Sequence, residues 1–343
     1  MKVSSTRSRR ITFWILATIL CIPYAGVNAL AQYTQTNLVT NTLDPKLVNA
    51  WGLAYGVSSP FWVGDERTGK STVYDASGSI VPLVVSIPAA TTGAKGTPTG
   101  VVANATSGFV ISQNGTSGPA AFIFDTLDGT ISGWNSSVNA GNAVIVINNH
   151  ATANYTGLAI ATTSTGSTFL YAANSAQNRI EVYNSSFKLV KTFTDASLTG
   201  FTVYGVQTIK NKLYVTFNGA PGTGAVDVFS FSGTLLQKLT SNGSSGPLNG
   251  PWGVALAPST FGVLSGALLV GNVSNGRINA FNPVTGAFRG PLKDTTGKII
   301  SNPGLWALEF GGGGGSSSNG NTNQLFLTAG GGAYATGVFA VIQ

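Results

Sequence analysis

The chain has 343 residues and a formal net charge of +7 at pH 7, but only 8% of its residues are charged, against about 25% in typical domains. No basic cluster occurs beyond the first ten residues, which argues against a nucleic-acid partner. The single cysteine, Cys21, excludes a disulfide framework, and roughly 300 residues suffice to bury a core without one.

Residues 1–31 have the layout of a secretory signal peptide. Lys2, Arg7, Arg9 and Arg10 form a basic start, residues 11–25 are apolar, and small residues precede position 32. We therefore expect a secreted protein, extracellular or periplasmic, whose residues 32–343 form one domain. A retained signal anchor is the alternative reading. No other membrane anchor is expected, and neither is self-association, so a monomer is predicted.

A short apolar strand, usually led by glycine, recurs six times with a spacing of about fifty residues. Its copies are residues 51–54, 99–102, 156–159, 204–207, 252–255 and 305–308. Each copy is followed by further strand-like segments with turns such as Asp128-Gly129 and Ser232-Gly233, and no long helical period appears. This period with all-β content predicts a six-bladed β-propeller.

The sixth repeat is one strand short, because the chain ends after residues 337–342. Residues 36–40 precede the first repeat and have no partner there. We predict that they pair with residues 338–342 as the outer strand of the last blade. This pairing would join the two ends of the fold by hydrogen bonds and leave no open edge at the junction.

The segments at residues 38–63 and 304–339 resemble a family of secreted, mostly bacterial proteins that is conserved but uncharacterised. The repeat pattern, for example Pro251-Trp252-Gly253-Val254-Ala255, is similar to NHL-type propeller repeats. The resemblance implies a propeller fold and export. It implies no reaction.

In a propeller, the loop that enters each innermost strand and the loop that leaves the second strand open on the same face, here called the upper face. The entering loops carry Asn49, Trp51, Tyr155, Tyr204, Trp252 and Asn302, and the leaving loops carry Asp65, Glu66, Arg67, Gln113, Asn114, Asn174, Asn218 and Asn272. Ten of these form the candidate ligand site: Trp51, Asp65, Glu66, Arg67, Tyr155, Asn174, Tyr204, Asn218, Trp252 and Asn272. Aromatic faces beside amides suit an extracellular carbohydrate, peptide or protein. The alternative for Trp51 and Trp252 is that at least one of them packs between blades.

Four of these side chains could also bind a metal. Asp65, Asn174, Asn218 and Asn272 are predicted to occupy equivalent places in four blades, and their oxygens are the ligands that Ca²⁺ prefers. The alternative is that each amide caps its own loop through hydrogen bonds to the backbone. Both interpretations stay open at the level of sequence.

The favoured function is a binding or scaffold module, and the alternative is a metal-dependent hydrolase or lyase of the lactonase type. A purely structural surface component is a third possibility. Few side chains can titrate, which favours binding. Glu309 is placed at the lower face, at the opposite end of the channel from Asp65. This separation weakens the lactonase interpretation. His150 is the single histidine, too few for a histidine-rich zinc site.

Overall fold

The computed structural model describes residues 1–4 and 33–343. The predicted signal peptide, apart from residues 1–4, therefore lies outside the described residues. In the described part, six antiparallel sheets of four strands each form the blades of a β-propeller. The predicted fold class is confirmed. None of the helices in residues 1–4 and 33–343 is long and apolar enough to cross a membrane.

Each blade is a meander in which the first strand lies nearest the axis. Blade 1 contains β2 (Ala50–Ala54), β3 (Phe61–Asp65), β4 (Lys70–Tyr74) and β5 (Ile80–Ser86); blade 2 contains β6 (Pro98–Ala103), β9 (Phe122–Thr126), β10 (Thr130–Trp134) and β11 (Val144–Asn148); blade 3 contains β12 (Tyr155–Thr162), β13 (Thr168–Asn174), β14 (Arg179–Asn184) and β15 (Leu189–Phe193). Blade 4 contains β16 (Thr202–Ile209), β17 (Lys212–Asn218), β18 (Gly224–Phe229) and β19 (Leu235–Asn242); blade 5 contains β20 (Pro251–Leu256), β21 (Leu268–Asn272), β22 (Ile278–Phe281) and β23 (Phe288–Pro291); blade 6 contains β24 (Leu305–Phe310), β25 (Leu325–Ala329), β26 (Val338–Ile342) and β1 (Gln35–Thr40). Short 3-10 helices span Ser175–Gln177, Gly262–Leu264 and Gly332–Tyr334.

The amino-terminal strand closes the ring, as the sequence predicts. β1 pairs antiparallel with β26, from Gln35 opposite Ile342 to Thr40 opposite Val338. Val39 is fully buried in this junction. Strand β24 of blade 6 in turn contacts β2 of blade 1, so the innermost strands form a complete circle.

Blade 2 departs from the predicted plan. A hairpin, β7 (Val110–Gln113) and β8 (Thr116–Pro119), is inserted between its first and second strands, so the second strand is β9. The prediction that Gln113 and Asn114 lie at the upper face is therefore wrong. They form the tip of a hairpin that leaves the blade from its lower face, where the innermost strands end.

Close approach of neighbouring blades explains the glycine in the repeat. In every blade the register between the first and second strands shifts beside the repeat glycine, or beside Ala307 in blade 6. A Cβ added at Gly52 would lie 2.3 Å from the Thr99 carbonyl oxygen, and one at Gly253 would lie 2.4 Å from that of Trp306. The lack of a side chain thus lets the innermost strands of blades 1 to 5 rest directly on the backbone of the next blade.

We expect Gly253→Ala to destabilise the fold because the new methyl group would overlap the Trp306 carbonyl and push blades 5 and 6 apart. Overpacking of this kind costs about 1–3 kcal/mol, which urea unfolding would measure. Gly141→Ala is the matched control, since no atom lies within 4 Å of the Cβ position there. Equal unfolding midpoints for the two variants would contradict this explanation of the repeat.

Candidate functional site

A cluster of aromatic side chains fills the upper end of the channel. Trp51 stacks on Trp306 with ring centroids 3.4 Å apart and planes 12° apart. The ring of Trp252 meets both edge-on, at 6.2 and 6.0 Å, and Tyr204 meets Trp306 at 5.9 Å. We call these four residues the aromatic plug. They come from blades 1, 4, 5 and 6, each from the position just before the repeat glycine or its counterpart Ala307.

Hydrogen bonds fix the plug across the channel. The Trp252 indole N–H of blade 5 donates to the Thr156 carbonyl oxygen of blade 3 at 2.6 Å. The Trp306 indole N–H donates to Asn49 Oδ1 at 2.8 Å. Blades 2 and 3 carry the smaller Thr99 and Thr156 at the equivalent position, which leaves room for the rings. The plug therefore closes the channel at its upper face.

Most of the predicted ligand site is buried. Seven of its ten residues are buried: Trp51, Asp65, Glu66, Tyr155, Asn174, Trp252 and Asn272. Tyr204 and Asn218 are partly exposed, and Arg67 is exposed, paired with Glu66 at 3.1 Å. The ten residues do lie at the predicted face, but they do not present a shared open surface to a ligand.

The carboxylate of Glu181 accounts for the position of Tyr155. The Tyr155 hydroxyl donates to Glu181 Oε2 at 2.8 Å and lies 2.9 Å from the Tyr183 hydroxyl. Hydrogen bonds from these groups and from Arg179 hold the pKa of Glu181 below its usual value, against the opposing effect of burial. This network ties β12 to β14 inside blade 3, so Tyr155 is engaged in the blade rather than in the channel.

Two of the predicted metal ligands accept hydrogen bonds from the backbone of loops at the upper face. Asn174 Oδ1 accepts from the backbone N–H groups of Asn154 and Gln177, both at 3.3 Å. Asn272 Oδ1 accepts from the Asn249 N–H at 2.7 Å. These oxygens already have partners, as the capping alternative requires. Within residues 1–4 and 33–343, no group of three or more His, Cys, Asp or Glu side chains could hold a metal ion.

Asp65 is a buried carboxyl with one unused oxygen. Thr72 Oγ1 donates to its Oδ2 at 2.8 Å, whereas its Oδ1 has no hydrogen-bond partner in the described chain. Burial raises the pKa of Asp65 well above its usual value, and the nearby charge of Asp44 adds to this effect. Burial thus disfavours the ionised form of Asp65, which is the form that binds calcium. The calcium site stays a prediction.

The lower end of the channel is open and forms a funnel of about 330 Å³. Its wall consists of the ends of innermost strands, whose side chains are mainly aliphatic. The residues two positions after the repeat glycine, or after Ala307 in blade 6, are Ala54, Val102, Ala159, Gln207, Ala255 and Glu309. Four of the six are small or aliphatic alanine and valine side chains from blades 1, 2, 3 and 5. Polar groups therefore reach this level of the funnel from blades 4 and 6.

Glu309 and Gln207 meet across blade 5. The Gln207 amide Nε2 donates to Glu309 Oε2 at 3.0 Å, over the small side chain of Ala255. Burial raises the pKa of Glu309 to about 7, although its side chain keeps partial contact with solvent. Among the residues that line the funnel in the described chain, Glu309 is the one with a carboxyl group.

A groove of about 990 Å³ continues from the funnel outward along blade 5. It shares Gln207, Thr208 and Glu309 with the funnel. The turn at residues 209–212 and the residues Pro283 and Val284 form its outer part. An extended ligand could thus reach Glu309 from the rim of the propeller.

Sequence reasoning placed Glu309 at the lower face but missed its partner. The predicted sixth repeat begins one residue too early, with Leu305 in the place of Trp252. The structure gives that place to Trp306, because the Trp306 carbonyl faces Gly253 as the Trp252 carbonyl faces Gly205. The counterpart of Glu309 in blade 2 is therefore Val102. A correct alignment would have put Gln207 and Glu309 at one level of the channel.

Comparisons with known proteins add relatives but no activity. No family model matches the chain. It is 30% identical to the uncharacterized protein L690 of Acanthamoeba polyphaga mimivirus over 80% of this chain and 78% of that protein. The uncharacterized protein R648 of the same virus is 29% identical over 86% of this chain and 74% of that protein. These relatives are viral, whereas the resemblance in the sequence implied a mostly bacterial family.

Solved structures similar to this chain are propellers with low sequence identity. A streptogramin B lyase matches with a TM-score of 0.50 and 12% identity, covering 92% of this chain and 99% of its own. The PQQ-bound aldose sugar dehydrogenase of Streptomyces coelicolor matches with a TM-score of 0.54 and 13% identity, covering 91% and 99%. At this identity the likeness shows the fold alone.

We expect Asp65→Asn to raise the melting temperature at pH 8 more than at pH 4. The folded-state pKa of Asp65 lies well above the ordinary value of 3.8, so the folded protein binds more protons and its stability falls as pH rises above about 4. The amide removes this loss. Calorimetry at both pH values, with and without calcium chloride, would measure it.

Asp294→Asn is the control. Hydrogen bonds lower the pKa of that exposed carboxyl, so any change in how stability depends on pH should have the opposite sign. A wild-type protein that calcium stabilises at pH 8, together with an Asp65→Asn variant that is less stable and indifferent to calcium, would contradict the raised pKa and favour the metal site.

Proposed function

We propose that this chain, which belongs to the family that includes the mimivirus protein L690, is a secreted binding propeller. Its ligand enters the lower-face funnel. The observation that carries the proposal is the contrast between the two ends of the channel. The aromatic plug closes the upper end, and the lower end is an open cavity with Glu309 and Gln207 at its inner wall.

The funnel has the usual features of a small-ligand site. It is concave, its wall is formed mainly by aliphatic residues, and a few polar groups converge inside it. A carboxyl with a strongly shifted pKa in such a cavity marks a candidate site. The groove along blade 5 adds to the protein surface that a ligand could cover. One ligand could therefore contact both the funnel and the groove.

A metal-dependent hydrolase or lyase of the lactonase type has less support. Asp65 lies beside the plug at the upper face, and Glu309 lies in the funnel at the lower face. Two of the amides proposed as ligands bind backbone groups. The chemistry of the funnel rests instead on one carboxyl and one amide, which suit recognition.

Glycan and peptide arrays would test the proposal, with the purified protein and two tryptophan variants. Ala103→Trp fills the funnel, since Ala103 lines it. Ala220→Trp places the same side chain at an exposed position after β17, on the upper face. We expect wild-type protein and Ala220→Trp to bind the same array ligand and Ala103→Trp to lose at least tenfold in affinity.

Thermal melts of both variants would show that each is folded. Binding that survives Ala103→Trp but is lost in Ala220→Trp would contradict the proposed location. An absence of binding on both arrays would contradict the binding function.

A further inference from the structure

The hydrogen-bonding groups of the funnel are mostly used inside the protein as donors. The Tyr55 hydroxyl donates to the Phe310 carbonyl oxygen at 2.9 Å, and the Thr208 hydroxyl donates to the Ile160 carbonyl oxygen at 2.9 Å. Gln207 uses one amide hydrogen for Glu309. The side-chain groups left for a ligand are mainly acceptors: the Glu309 carboxylate and the Gln207 carbonyl.

Such a wall selects a ligand group rich in donors. An ammonium group has three N–H donors and no acceptor, whereas a sugar hydroxyl offers both. An ammonium group would also supply the positive charge that Glu309 lacks, since none of the ion pairs in residues 33–343 includes Glu309. Hydrogen bonds between ionised groups are about twice as strong as neutral ones.

The outer part of the groove has the opposite charge. Lys210 and Lys212 are exposed on its wall, and neither forms an ion pair with the rest of the described chain. Lys210 follows Gln207 by three positions, a rise of about 10 Å along an extended chain. Between them the groove is lined by apolar side chains, among them Val254, Leu256 and Leu308.

We propose that the lower-face groove binds a short peptide, with its amino-terminal ammonium group on Glu309 and Gln207 and its carboxylate group beside Lys210 and Lys212. An extended peptide of three or four residues spans about 10–14 Å, which is long enough to reach from Gln207 to Lys210. The inference rests on the proposed binding function and names the class of ligand for that same site.

The protonation of Glu309 supports the assignment and supplies a second readout. Its pKa of about 7 reflects a buried carboxyl that lacks a cation, and Tyr55 is the neighbouring group that also titrates. A bound ammonium group would favour the carboxylate. Binding at pH 7 would therefore release a fraction of a proton to the buffer.

Isothermal titration with tetra-alanine, its N-acetyl form and its carboxyl-terminal amide would test this proposal. We expect tetra-alanine to bind, with at least tenfold weaker binding after acetylation and weaker binding after amidation. In Glu309→Gln the effect of acetylation should vanish, together with the proton release seen by comparing two buffers. In the double variant Lys210→Ala with Lys212→Ala, the effect of amidation should vanish.

Lys188→Ala is the matched control, since Lys188 is exposed on blade 3 and should leave all three affinities unchanged. Equal binding of free and acetylated peptide, or no binding of tetra-alanine, would overturn the assignment. If an array glycan still binds and Ala103→Trp blocks it, the peptide assignment fails while the funnel remains the binding site. If Ala103→Trp blocks no ligand, the proposed function fails as well.

Discussion

The direct contact between innermost strands is the constraint on which the rest of the molecule depends. At Gly52, Gly100, Gly205 and Gly253, a Cβ atom would come within 2.6 Å of the backbone of the next blade. In an all-β chain without disulfides, this contact and the pairing of β1 with β26 hold six separate sheets in one ring. The residues on either side of each glycine are thereby fixed toward the channel.

The two ends of the channel follow from what stands on either side of those glycines. On the upper side the chain supplies Trp51, Tyr204, Trp252 and Trp306, whose rings fill a space that four smaller side chains would leave open. On the lower side most blades supply alanine or valine, so a cavity remains. The same scaffold therefore makes a packed core at one end and an open cavity at the other.

Much of this could be predicted from the sequence because it depends on periodicity. The six repeats predict the blade count, and an unpaired segment at residues 36–40 predicts the closure with β26. The hairpin in blade 2 could not be predicted, because its alternating polar residues resemble an ordinary blade strand. The one-residue shift in blade 6 was also missed, since Ala307 stands where other blades mostly have glycine.

The candidate site could be predicted only in part, for a physical reason. Sequence indicates which residues lie at a face, but not whether their side chains fill the channel or line it. The sequence allows Trp51 and Trp252 either to contact a ligand or to pack between blades, and in the structure they pack against each other and Trp306. The pairing of Gln207 with Glu309 depends on the distance between blades 4 and 6 across Ala255. The spacing of the repeats along the sequence does not give this distance.

The central claim is that the carboxyl group of Glu309 is buried in an open funnel and has no cation beside it. Because the chain has three glutamates, Glu66, Glu181 and Glu309, carbon-13 labelling of glutamate gives three carboxyl signals, and Glu309→Gln assigns one of them. An NMR titration should show that this signal titrates with a pKa of about 7, well above that of Glu181. A value near the ordinary 4.5 would contradict the account.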